Sequence, residues 1–129
     1  MSSYGISKKV ALSYEEAVEK TRSLLAAEGF GVLTEIDVKA TIKKKLDKDF
    51  KKYIILGACN PPYAYKALTS ENDIGLLLPC NVIVYENNGG GATVSAIDPA
   101  VAMGMVENAE LAEVAKEVRN KLVKVIEGL

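Results

Sequence analysis

The sequence predicts an α+β domain with a curved, antiparallel, five-stranded sheet and two long helices on one face of that sheet. Three observations lead to this prediction. Amphipathic helical patterns occur near both ends of the chain, at residues 13–29 and 108–129, and mostly strand patterns lie between them. A glycine-rich turn at residues 87–91 joins two of those strands as a hairpin. Strictly alternating βαβ units are absent, so an antiparallel sheet covered by helices is favoured.

The first strand and the first long helix are predicted within residues 4–29. Residues 4–10 have the pattern of a short strand. A capping box at Ser13 and Glu16 begins the helix, because each side chain can bond the backbone of the other residue. Gly29 ends the helix in the left-handed conformation that glycine readily adopts. The predicted buried stripe consists of Ala17, Val18, Thr21, Leu24 and Leu25.

The next segment predicts a half-buried strand and then a short surface helix. Apolar and polar residues alternate between residues 30 and 38, so one face of this strand is expected to be apolar. The residues predicted on that face are Phe30, Val32, Thr34, Ile36 and Val38. Ile42, Leu46 and Phe50 then recur every fourth residue among lysines, which predicts a short helix on the surface.

A central strand followed directly by a helix is predicted around Cys59. The apolar run of residues 53–59 is typical of a strand that is buried on both faces. The residue before a proline avoids helical geometry, whereas proline suits the first helical turn. We therefore expect the strand to end at Cys59 and a helix to begin at Pro61 or Pro62. Unpaired N–H groups at the start of that helix would favour a thiolate on Cys59.

A β-hairpin and the second long helix are predicted in the last third of the chain. Strand patterns at residues 80–86 and 92–98 flank the turn at residues 87–91. A phosphate-binding loop would need a helix after the turn, so a plain hairpin is favoured. Asn108 is expected to cap the final helix. The apolar face of this helix consists of Leu111, Val114, Ala115, Val118, Leu122, Val125, Ile126 and Leu129.

The segment between the hairpin and the final helix predicts a short apolar helix at residues 100–105. Asp98 is expected to cap this helix, with Pro99 at its first position. Met103 and Met105 could line an adaptable pocket, but methionine commonly fills irregular cores, and that role is favoured here.

Length and charge exclude several classes of protein. The 129 residues match one domain, expected to span residues 1–129. The 16 basic and 17 acidic residues give a net charge of −1, which argues against general nucleic-acid binding. Asp47 and Asp49 interrupt the lysine-rich segment 39–52, which predicts a solvated face. We find no apolar run suited to a signal peptide or a membrane span, so a cytoplasmic location without membrane association is expected.

The absence of histidine restricts the chemistry that this chain can perform. Catalysis by Ser-His-Asp or Cys-His arrangements is excluded, as is metal binding through imidazole. Two cysteines cannot complete a four-ligand zinc site within one chain, and neither a metal nor a cofactor is expected. Enzymatic activity would have to rely on a thiol or on Asp, Glu, Lys or Tyr, and a non-enzymatic role is favoured.

Cys59 and Cys80 are the candidate thiols, and each lies beside an asparagine and a proline, in the sequences CNPP and PCN. A buried structural role is the commonest one for free cysteine, and it is favoured over a reactive thiol. Asn60 can cap the following helix or present its amide to a ligand. The candidate ligand-binding residues are Asn60, Pro61, Tyr63, Pro79, Asn81 and Asp98.

Three stretches of the chain resemble one known family. They are KKKLDKDFKKYIILGACNPPYAYKAL, IGLLLPCNVIVYE and VSAIDPAVAM, in which GACNP and LLPCNV are the most specific motifs. They resemble the prokaryotic family called domain of unknown function 302, and the similarity spans essentially the whole chain. The resemblance implies a fold of the TATA-binding-protein-like class, with the order strand, helix, four strands, helix, and it implies a homodimer. It implies neither DNA binding nor a particular reaction.

Three functions remain open at this point. The favoured one is the binding of a small molecule or a protein partner near Cys59, Asn60 and Cys80. The first alternative is a thiol-dependent protein that exchanges disulfides or carries sulfur on Cys59, with Cys80 as a resolving thiol. The lack of a CxxC motif weighs against this alternative. The second alternative is a structural or regulatory subunit that forms homodimers.

A homodimer is expected because two central strands are apolar on both faces. Residues 53–56 and 82–85 present bulky apolar groups to either side, whereas two long helices cover one side only. Short helices at residues 61–70 and 99–105 could cover part of the second face, but they are too short to cover all of it. Two-fold pairing is the commonest way to bury such a surface.

Overall fold

The chain forms an open, five-stranded, antiparallel sheet with helices in a computed structural model that describes residues 3–129. The strands are β1 (Gly5–Val10), β2 (Gly31–Asp37), β3 (Tyr53–Cys59), β4 (Cys80–Glu86) and β5 (Ala92–Ile97). The helices are α1 (Tyr14–Ala27), α2 (Val38–Leu46), α3 (Pro61–Ser70), α4 (Pro99–Ala102) and α5 (Ala109–Glu127), with 3₁₀ helices at Asn72–Leu77 and Met103–Met105. The spatial order is β1-β5-β4-β3-β2, and every neighbouring pair is antiparallel. The predicted fold class is confirmed.

The two long helices pack together on one face of the sheet. Helix α1 contacts β4 and β5, and α5 contacts β1 and β5. Val82, Val84 and Val94 point from the sheet into this layer and are fully buried, as are Leu25 of α1 and Leu122 of α5. The predicted α5 stripe is confirmed up to Ile126, since the residues buried along it are Leu111, Val114, Ala115, Val118, Leu122, Val125 and Ile126. Leu129, the last residue of the predicted stripe, lies beyond the end of the helix and is only partly buried. Burial of these helical stripes against the sheet forms the core.

The other face of the sheet, which we call the open face, is covered by neither α3 nor α4. Both short helices pack against α5, and Ala67 of α3 belongs to the same core as the long helices. Because side chains alternate along a strand, the residues between the buried ones point to the open face. Residues of the open face include Ser7, Tyr53, Ile55, Ile83, Tyr85 and Ser95.

Local signals in the sequence correspond to the observed ends of the two long helices. The capping box is present, with Ser13 Oγ accepting from the Glu16 N–H and Glu16 Oε1 accepting from the Ser13 N–H, both at 3.1 Å. Gly29 has the expected positive φ of 85°. The Asn108 side chain accepts from two backbone N–H groups of the first α5 turn.

No helix within residues 3–129 combines the length and apolar character that a membrane span needs.

Strand β2 differs from its predicted pattern because it contains a β-bulge. The register shifts between Val32, which pairs with Ala58, and Thr34, which pairs with Gly57. The extra residue reverses the faces to which the following side chains of β2 point. Ile36 therefore pairs with Ile55 of the open face and is 48% exposed. The prediction of one continuous apolar face from residue 30 to residue 38 was therefore wrong.

Helix α2 is shorter than its apolar repeat predicted. It ends at Leu46 because Asp47 adopts a left-handed conformation, with φ of 51°, which Asp tolerates better than most residues. Phe50 was predicted to continue the helix, and this was wrong: it lies in the loop before β3, with its ring 6.2 Å from that of Tyr53.

Candidate functional site

The junction between β3 and α3 has the predicted geometry. Cys59 is the last residue of β3, Asn60 is the N-cap residue of α3, and Pro61 begins the helix. Proline at the first helical positions loses no helical hydrogen bond, and it keeps Asn60 in an extended conformation. This junction therefore follows from the local sequence, and it confirms the predicted position of Cys59.

The Asn60 side chain is buried and turned away from its own helix. It makes no capping bond to α3, and its Nδ2 instead donates to the backbone oxygen of Glu28 at 3.1 Å. This bond satisfies a carbonyl at the end of α1 that has no partner within the helix. Gly29 allows the approach, because a Cβ there would lie 3.3 Å from Asn60 Nδ2. Asn60 thus joins α3 to the end of α1.

The start of α3 offers few donors to a thiolate on Cys59. Pro61 and Pro62 occupy its first two positions and have no N–H group, so Tyr63 provides the first backbone donor. The expectation that unpaired N–H groups here would favour a thiolate therefore loses much of its physical basis.

An apolar cavity of about 260 Å³ lies beside this junction. Its wall contains five of the residues that the sequence singled out: Cys59, Asn60, Tyr63, Pro79 and Cys80. They meet because the last residues of β3, the first turn of α3 and the segment leading into β4 lie at one end of the sheet. Most of the predicted site residues are therefore brought together around one space.

Three of the predicted site residues lie elsewhere. Pro61 is exposed at the start of α3 and does not line the cavity. Asn81 follows the inward-facing Cys80 and so points to the open face. Asp98 caps α4 by accepting from the Ala100 N–H at 3.0 Å, and its other oxygen accepts from Arg119 Nε at 3.0 Å. Asp98 therefore caps α4 and pairs with Arg119, and it does not line the cavity.

Sequence reasoning did not identify most of the apolar wall. The cavity is also lined by Phe30, Leu33, Leu68, Met103, Val114 and Val118, among others. Met103 had been noted as a possible pocket residue, and it is both buried in the core and part of the wall. Met105 was expected to fill the core as well, which was wrong, because it is 73% exposed. The other wall residues carry no local signal that separates them from ordinary core residues.

The two thiols differ in their surroundings. Both cysteines are free, Cys80 is buried, and Cys59 is partly exposed. Burial, and to a smaller extent the nearby Cys59, raise the pKa of the Cys80 thiol to about 11. Cys80 is therefore protonated at neutral pH, which leaves Cys59 as the thiol open to chemistry. Within residues 3–129, no three side chains of the metal-binding types lie close enough to hold a metal ion.

The open face carries a second, more polar concavity of about 570 Å³. It contains a stacked pair of tyrosines, Tyr53 and Tyr85, with ring centroids 5.4 Å apart. The Lys51 ammonium lies 4.6 Å from the centroid of the Tyr85 ring, which is within the range of a cation–π contact. This groove is separated from the cavity by the sheet itself.

Comparisons with known proteins identify the family. No curated protein matches the chain. A crystal structure of an uncharacterized conserved protein DUF302 from Bacillus stearothermophilus is similar, with 28% sequence identity and a TM-score of 0.89, over 98% of each chain. The family model for "Domain of unknown function DUF302" matches residues 6–129, which is nearly the whole chain. The protein therefore belongs to the DUF302 family.

Proposed function

We propose that this domain binds a small apolar molecule in the cavity beside Cys59, Asn60 and Cys80. The observation that carries the proposal is the cavity itself, about 260 Å³ in volume and almost wholly apolar in its wall. By comparison, an engineered apolar cavity of about 150 Å³ in another protein binds benzene. A molecule with one or two small rings would therefore fit here.

The mouth of the cavity gives such a molecule a route to the site. Leu33 is 68% exposed and Leu68 is 40% exposed, although both belong to the wall. Leu33 is the additional residue of the β2 bulge, which explains why an apolar side chain stands at this edge. Large apolar side chains in contact with solvent beside a cavity are typical of a binding site.

Filling the cavity is expected to weaken binding. Ala64 of α3 lines the cavity and is only partly buried, so Ala64→Leu would occupy space without disturbing the fully buried core. We expect the affinity for benzofuran, used as an apolar probe, to fall at least tenfold, measured by two-dimensional NMR titration. Ala40→Leu on the exposed side of α2 is the matched control and should bind as the unmodified protein does. If benzofuran perturbs no residue of the cavity wall at millimolar concentration, the proposal is wrong.

A thiol-dependent function is our second proposal for the same site. Cys59 and Cys80 line one cavity, and Cys59 is partly exposed, so a reagent that enters the cavity would meet both thiols. Disulfide exchange needs only a thiolate and an accessible partner sulfur. The difference between the alkylation rates of the Cys59 and Cys80 thiols tests this proposal.

We also propose that the open face pairs with that of a second copy of the chain. Helices α3 and α4, which could have covered it, pack against α5 instead. Five strands about 4.8 Å apart and about 20 Å long give one face of the sheet an area of roughly 500 Å². Stable dimers bury roughly 800 Å² per partner. The exposed side chains of Tyr4, Ile36 and Phe50 border this face and enlarge the surface available for pairing towards the area that a stable dimer buries.

The protein is therefore expected to sediment as a dimer at micromolar concentration. Ile83→Glu places a charge in the middle of the open face and should give a monomer, because burying an unpaired carboxylate is unfavourable. Leu76→Glu is the matched control, since Leu76 is 87% exposed and does not line the concavity of the open face. A monomer mass for the unmodified protein in sedimentation equilibrium would overturn this proposal.

A further inference from the structure

We infer that the ligand of the cavity is amphipathic: its apolar body fills the cavity, and a zwitterionic head, like that of an α-amino acid, lies in a polar cleft beside it. The inference rests on the proposed binding function and adds the chemical class of the ligand to it. The observation behind it is a cleft with charged side chains of both signs that shares two wall residues with the apolar cavity.

The cleft adjoins the cavity where the start of α3 meets the end of α1 and one side of α5. It has a volume of about 380 Å³, and Asn60 and Tyr63 line both spaces. The charged residues of its wall are Glu28, Lys66, Glu117 and Lys121. A ligand that extends past Asn60 and Tyr63 therefore leaves an almost wholly apolar wall and meets a strongly polar one.

The two shared residues direct polar groups towards the cleft. The Asn60 amide donates to the backbone oxygen of Glu28, which lines the cleft and not the cavity. The Tyr63 side chain packs against the hydrophobic core. Burial and then the neighbouring Glu117 carboxylate raise the pKa of the Tyr63 phenol, and Glu117 also lines only the cleft. The border between an apolar and a polar environment thus runs along Asn60 and Tyr63, an arrangement that fits an amphipathic molecule.

The charged side chains of the cleft are available to a ligand. Glu28, Glu117 and Lys121 are half-buried, whereas Lys66 is exposed. None of these four residues takes part in an ion pair within residues 3–129. Two carboxylates and two ammonium groups therefore line one space without pairing with one another.

A zwitterionic head suits this distribution of charge better than a head with a single charge. A single charge would be attracted by two of the four groups and repelled by the other two. A head with both an ammonium and a carboxylate group can direct each charge towards partners of opposite sign. Because no charged side chain of the cleft is fully buried, the head keeps contact with water and its desolvation is limited. An α-amino acid with an apolar side chain combines such a head with a body that the cavity can hold.

Three probes that share a phenyl ring and a short chain separate the two charges of the head. L-Phenylalanine carries both charges, hydrocinnamate lacks the ammonium group, and phenethylamine lacks the carboxylate. At neutral pH we expect phenylalanine to bind roughly tenfold more tightly than either analogue, because only phenylalanine gains charge-assisted bonds to both kinds of partner. Two-dimensional NMR titration should show shifts both in the cavity wall, at Met103, and in the cleft, at Lys121.

Substitutions in the cleft test whether it holds the head. Glu117→Gln should weaken the binding of phenylalanine and phenethylamine severalfold but not that of hydrocinnamate. Lys121→Gln should weaken the binding of phenylalanine and hydrocinnamate but not that of phenethylamine. Glu113→Gln and Lys124→Gln are the matched controls, since both residues are exposed on α5 outside the cleft, and they should leave all three affinities unchanged. A purely structural effect of a cleft substitution would weaken all three probes equally.

Failure of the inference can be told from failure of the function on which it rests. If benzofuran binds in the cavity but phenylalanine does not, the zwitterionic head is overturned and the apolar site stands. If either analogue binds as tightly as phenylalanine, a head with two charges is overturned. If the cleft substitutions weaken all three probes equally, or none of them, the placement of the head in the cleft is overturned. If neither benzofuran nor phenylalanine binds, the proposed function itself fails.

The comparison of the three probes needs only the unmodified protein. It therefore decides on the two charges of the head even if a cleft variant does not fold.

Discussion

Replacing Gly57 by alanine is expected to lower the free energy of unfolding by about 1–3 kcal/mol, the usual cost of overpacking a core. A Cβ at this position in β3 would lie 2.9 Å from Pro79 Cγ and would overlap Thr34 Oγ1. The proline ring is rigid, and Thr34 is paired with Gly57 across the β2–β3 ladder. The Thr34 hydroxyl can rotate about χ1, but the Pro79 ring cannot move away without shifting backbone. This cost exceeds the gain of about 0.5–1 kcal/mol that alanine normally brings over glycine within a strand.

Gly104→Ala is the matched control for this measurement. A Cβ at Gly104 would have no described heavy atom within 4 Å, and its backbone does not need glycine. We expect this variant to be unchanged or more stable by about 0.4–1 kcal/mol, because alanine restricts the unfolded chain. Urea denaturation followed by circular dichroism measures both variants. Equal stability of Gly57→Ala and the unmodified protein would show that β2 and Pro79 can yield, contrary to the packing described here.

Cys80 is expected to be alkylated at least tenfold more slowly than Cys59 at pH 8. With a pKa of about 11, Cys80 has few thiolates at this pH. Its thiolate population at this pH is roughly 200-fold below that of a free cysteine, whose pKa is about 8.5. The higher nucleophilicity of a more basic thiolate offsets only part of this difference. Burial slows the approach of the reagent further, whereas Cys59 is partly exposed.

The measurement compares two variants that each keep one thiol. Cys59→Ser retains Cys80, and its rate with iodoacetamide should stay low and rise only as the pH approaches 11. Cys80→Ser retains Cys59 and should react readily at pH 8. Equal rates for both variants would contradict the structural difference between the thiols. If the rate of Cys59 follows the pH profile of an ordinary free cysteine, the thiol-dependent function loses its physical basis.

The elements of this fold follow from short-range signals in the sequence. The helix ends at Ser13, Gly29 and Asn108 depend on bonds and φ angles within a few residues. The end of β3 at Cys59 depends on the two prolines that follow it. Such signals act over the length of one helical turn. The sequence alone therefore determined where most helices and strands begin and end, and that Cys59 lies at the carboxyl end of a strand.

Only the tertiary structure decided which of these residues form a site. Phe30, Met103 and Val118 are far apart in the sequence and meet at the cavity because α3, α5 and the sheet leave a gap between them. The bulge in β2 depends on its pairing with β3, which alternation within one strand does not encode. The Asn60 amide turns to Glu28 since the end of α1 lies beside it. Cavities, registers and shared hydrogen bonds arise between elements, so no local pattern contains them.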